Sequence, residues 1–141
     1  MSLRAVLAAS CLLISTASAH FQLLTPPSIG FDDDNEDKEP CGGVTPDFSK
    51  SVTDFHIDGE PISTTLTHPQ SNWLYRATLD EKASGGWVEL YPIFQQSGLG
   101  NLCIPSVKAN SSWEGKQGVL SIISNAPDGL LYQVSPPCSL N

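Results

Sequence analysis

The sequence predicts an all-β domain built as a two-sheet sandwich, and three observations carry that prediction. Gly and Pro together make up 22 of 141 residues, about 16%, against a usual sum of about 12%. Short apolar or alternating runs are punctuated by turn residues, and none sustains the 3.6-residue period of an amphipathic helix. The chain is large enough for one core and no more. With 7 basic and 15 acidic side chains and a formal charge of −8, it repels phosphate backbones, which excludes nucleic acid as a partner.

Residues 1–19 read MSLRAVLAASCLLISTASA. Arg4, an apolar run and the small residues Ala17-Ser18-Ala19 form a secretory signal peptide with its cleavage site. The run is too short to span a bilayer, and no later segment is long and apolar enough. Cleavage leaves 122 residues, 20–141, as the single domain. It removes Cys11 and leaves Cys41, Cys103 and Cys138, an odd number whose disulfide pairing stays open.

Cleavage also makes His20 the first residue. A terminal histidine offers its α-amine and ring Nδ1 together, and the pair closes a chelate ring on a metal. The amine has a reference pKa of about 7.7–8.0, so its proton is displaceable near neutral pH. Copper leads the divalent affinity order and favours nitrogen donors in a tetragonal plane. A histidine ring from elsewhere in the chain would complete a three-nitrogen site for one Cu(II).

Along the remaining chain, 21–24 is a short apolar segment ended by Thr25-Pro26-Pro27. The acidic run 32–39, with six acids in eight residues, is expected to be a solvated loop. It lacks the ligand spacing of a calcium loop. Pro40-Cys41-Gly42-Gly43 forms a tight turn. Strands are expected over 52–57, 73–79, 87–91, 119–123 and 130–133, with Asn125-Ala126-Pro127-Asp128-Gly129 as a hairpin turn. Trp73, Tyr75, Trp87, Tyr91 and Phe94 are assigned to packing. Asn110-Ser111-Ser112 is an N-glycosylation acceptor at Asn110. His56 alternates with Phe55 and Ile57 and is expected on an exposed strand face. His68 lies in a loop beside Pro69, where it can reach a terminus at the same end of a sheet, and it is the natural second ligand.

His20-Phe21 at a cleavage site, Leu24, Pro26-Pro27 and an acidic stretch closing in Pro40-Cys41-Gly42-Gly43 resemble the fungal copper acquisition factors. These are secreted or GPI-anchored relatives of the lytic polysaccharide monooxygenases. The resemblance continues through Phe55, Gly59, Ile62, His68, the segment Gly98-Leu99-Gly100-Asn101-Leu102-Cys103, Gly118 and Leu131-Tyr132-Gln133. It implies an immunoglobulin- or fibronectin-like β-sandwich with a copper histidine brace, using the His20 amine and ring and the His68 ring. It also implies copper acquisition and delivery to transport machinery at the cell surface or wall, without catalysis.

In that family a carboxylate joins the copper from a Cys-Ala-Asp triplet after the Leu-Tyr segment. Here Val134-Ser135-Pro136 stands in its place, so the expectation is a two-histidine brace without its acid. The lost triplet, the odd cysteine and the stop at Asn141, without an anchor signal, point to a truncated gene model. A disordered last strand is expected as well. Two other classes remain open: a copper-dependent polysaccharide monooxygenase using the same brace, and a cell-wall structural domain with incidental histidines.

Overall fold

In the computed structural model, residues 20–50 and 52–141 are described, so the leader assignment falls outside the described residues. Nine strands follow in chain order: β1 (Phe21–Thr25), β2 (Thr53–Phe55), β3 (Glu60–Leu66), β4 (Gln70–Thr78), β5 (Val88–Ser97), β6 (Gly100–Val107), β7 (Gln117–Ala126), β8 (Gly129–Val134) and β9 (Cys138–Leu140). One sheet is ordered β1-β3-β6. The other runs β2-β9-β7-β4-β5, with β8 also on β7. The all-β sandwich read from turn density and strand spacing is therefore the observed fold.

Alternation builds the core, because successive strand side chains face opposite sides of a sheet. Phe21 and Leu23 of β1 and Ile62 and Leu66 of β3 meet Trp73 and Tyr75 of β4 and Leu120 and Ile122 of β7 between the sheets, all nearly fully buried. Trp73 packs edge-on against Phe21 with ring centroids 5.2 Å apart. β3 and β6 escape sequence reading because β3 is rich in Ser and Thr and β6 contains Pro105, and neither is strongly apolar.

The outer face of the second sheet has a smaller core of its own. There Val119 and Val134 pack with Cys41 and Ala83, against Ile29, Val44, Phe48 and Trp87. Much of the cover comes from the long β1–β2 connection, residues 26–52. This is why Val119 and Leu120, facing opposite ways, are both buried. Trp87 also stacks under the Arg76 guanidinium, 4.2 Å from its ring centre, so its role is packing.

Two expectations need correction. The double proline interrupts the edge run without ending it. β8 pairs with β7 up to Val134, the Ser135 amide bonds Leu120 O at 3.0 Å, and beyond Pro136-Pro137 the chain resumes as β9. That strand pairs antiparallel with β7 and parallel with β2, and Cys138 and Leu140 enter the main core. The last strand is thus ordered. Nor do the cysteines among the described residues, Cys41, Cys103 and Cys138, form a disulfide. Cys41 sits in the outer core, Cys138 lies between the sheets, and Cys103 is exposed on β6. Three different environments hold the thiols apart, and burial pushes the Cys41 and Cys138 thiols above their ordinary pKa.

His56 falls just past β2 and is exposed, as alternation required, with Nδ1 2.7 Å from Glu60 Oε2. Asn110 is exposed and caps a 3-10 turn at Ser111–Trp113, its Oδ1 accepting the Ser112 amide at 2.9 Å. Among the described residues no helix is long and apolar enough to cross a membrane.

Candidate metal centre

Strand register brings the two predicted ligands to one end of the sandwich. Phe21 lies opposite Leu66 in the β1–β3 ladder. One residue further, His20 faces Thr67, and His68 follows. The Thr67 hydroxyl accepts from His20 N at 2.7 Å and donates to His20 O at 2.5 Å, while the Thr67 amide donates to the same oxygen at 3.0 Å. The backbone nitrogen of His20 is therefore fixed against the segment that carries the second histidine.

His68 is 5% exposed. Its Nε2 lies 2.8 Å from Asp128 Oδ1, at the tip of the β7–β8 turn. The approach is off the hydrogen-bond line, and Nε2 makes no hydrogen bond. A buried imidazole nitrogen in that state can give its lone pair to a metal. Asp128 lies in the turn expected from Asn125-Ala126-Pro127-Asp128-Gly129, and the fold also sets it against His68.

The acidic run is the larger surprise. It was expected to be solvated throughout, yet Glu36 is 2% exposed. Its Oε1 accepts Gln133 Nε2 at 2.7 Å, and its backbone oxygen accepts the Tyr132 amide at 2.8 Å. Its Oε2 is buried without a hydrogen bond and lies 3.8 Å from His20 Nε2. Asp33 Oδ1 is 3.9 Å from the same nitrogen but is 62% exposed. Burial raises the Glu36 carboxyl to about 7, against the opposing pull of the Gln133 hydrogen bond and of His20. Phe31 closes the group from outside, its ring edge-on to His20 at 5.7 Å.

Gln133 ties these parts together. It is 2% exposed. Its Oε1 accepts the Leu23 amide at 2.8 Å, and its Nε2 donates to Phe21 O at 2.5 Å as well as to Glu36. Sequence reading missed Glu36 because it is one acid among many. The available signal was Gln133, a polar residue within a buried strand, whose amide needs partners. Pro136, at the position where the resemblance led to the expectation of an aspartate, lies beside Ile29, Val44 and Thr45. Two other carboxylates, Glu36 and Asp128, stand beside the two histidines.

Among the described residues no cluster of three or more His, Cys, Asp or Glu side chains is arranged to hold a metal. The fit to copper rests on the chemistry of the His20 and His68 nitrogens, which the β1–β3 register brings to the same end of the ladder, with Asp128 Oδ1 2.8 Å from His68 Nε2.

A "lytic polysaccharide monooxygenase-like protein X325" of Yarrowia lipolytica is 29% identical over 131 residues, covering 85% of this chain and 49% of its own. An uncharacterized protein of Aspergillus fumigatus is 27% identical over 123 residues, covering 82% and 51%. The chain thus spans about half the length of the curated relatives it matches. Residues 18–135, which include every strand around His20 and His68, match the family model described as copper acquisition factor BIM1-like, and the chain belongs to that family.

Proposed function

We propose that the protein is a secreted or cell-surface copper binder that takes up one Cu(II) through the amine and ring of His20 and the ring of His68. It passes the ion to copper-transport machinery at the surface or wall and performs no oxidative catalysis. The observation that supports this most is the clamp of Thr67 on His20, one residue from His68. Nitrogen donors of this type suit copper. Asp128 beside His68 offers an anionic oxygen, and the chain as a whole carries −8. Negative charge around the ion favours the cupric over the cuprous state, which suits retention better than redox turnover.

The test uses protein processed to begin at His20 and a version with one alanine ahead of it. Cu(II) titration should show one site in the first and a large loss of affinity in the second. Equal affinities would sink the brace. Incubating the copper-loaded protein with reductant, peroxide and candidate glycans tests the second half; oxidised oligosaccharides would make it an enzyme.

A further inference from the structure

A neutral imidazole carries one proton, on Nδ1 or on Nε2. A terminal histidine can close a small chelate ring with its own amine only through Nδ1, since Nε2 lies on the far side of the ring. The tautomer that binds therefore has its proton on Nε2. What faces Nε2 decides how well that tautomer is held.

In this chain two carboxylates face it. Asp33 is largely in water. Glu36 is buried, its Oε1 is occupied by the Gln133 amide, and its Oε2 has no hydrogen bond. A buried carboxylate oxygen left unpaired is costly, and His20 Nε2 lies 3.8 Å from it. A ring movement of about 1 Å brings the pair to hydrogen-bond distance. Glu36 itself is held from behind by Gln133 and by the Tyr132 amide, so the ring must adjust to the carboxylate. We infer that Glu36 is a positioning residue for His20: it accepts the Nε2–H hydrogen bond, fixes the tautomer with Nδ1 unprotonated, and orients that nitrogen beside the amine.

This rests on the copper reading above, and its test separates the two. In metal-free protein beginning at His20, at a pH where the ring is neutral, nitrogen chemical shifts should show Nε2 protonated and Nδ1 not. Glu36→Gln keeps the size and the bond to Gln133 but turns an amide donor toward Nε2. It should shift the His20 tautomer toward Nδ1–H and weaken Cu(II) by about 10-fold or more, the range for outer partners of ligating histidines. Asp37→Asn, an exposed charge on the same loop, should change affinity less than about twofold, because exposed charges are screened. If Glu36→Gln leaves both tautomer and affinity at wild-type values while His68→Ala abolishes copper binding, the role of Glu36 is overturned and the brace stands. If His68→Ala binds copper as wild type does, the brace itself fails. Should Glu36→Gln not fold, the wild-type tautomer still decides: Nδ1–H there overturns the inference.

Discussion

Two connections bring carboxylates to the two histidines, and they do so in opposite ways. The β1–β2 connection, residues 26–52, is long and lies across a sheet face. It delivers Glu36 in a fully packed position, bonded to Gln133 and Tyr132. The β7–β8 turn is as short as a hairpin allows and delivers Asp128 on its tip, 43% exposed. A carboxylate locked by a loop's own packing sets geometry but cannot yield. One on a turn tip has room to swing when an ion arrives at His68. Rear support should thus be coupled to stability, and the front carboxylate should not.

The strongest way to break that contrast is at Gly42, which has φ +65° and where a Cβ would meet Tyr132 O at 2.1 Å. Gly42→Ala should lower the unfolding free energy by about 4 kcal/mol, from overpacking plus backbone strain, as read by denaturant melts. A loss under about 1 kcal/mol would mean the loop is not locked. Gln133→Leu should cost about 3 kcal/mol, since the Leu23 amide, the Phe21 carbonyl and Glu36 each lose a buried partner. Asp128→Asn should leave stability within about 0.5 kcal/mol yet weaken Cu(II) by less than about 10-fold in the same titration. A large drop in the melt would erase the distinction between the two connections. His56→Ala, on an exposed residue remote from the clamp, should move neither measurement beyond about 0.5 kcal/mol; copper loss there comparable to that of His68→Ala would reassign the second ligand.

Strand positions with strong alternation, such as Trp73, Tyr75 and Ile122, were legible in the sequence, because one buried face forces a period of two. So was the placement of His68 at the same end of a sheet as His20, which follows from a loop at a strand end. Glu36 was not legible. Its burial depends on which face the loop turns inward, and that is set by distant partners in β8. The same holds for β9, whose three residues carry too little pattern to announce a strand and are recruited by the free edge of β7. The cysteine count misled for a related reason: it says how many thiols exist but not that the sheets separate them.

The parallel pairing of β2 with β9 bears on how the molecule assembles. Thr53 finds Cys138 only after almost all the described chain has been laid down, and among the described residues β2 has no other strand neighbour. Pairings this distant in sequence demand loop closure before they return any contact, so they form late. The elements around His20 and His68 depend on β1, β3, β4, β7 and β8, none of which waits for β2. The end that carries His20 and His68 meets the same demand, because Gln133 reaches Leu23 and Phe21 over sequence separations of 110 and 112, so both ends of the sandwich close only once β8 is in place.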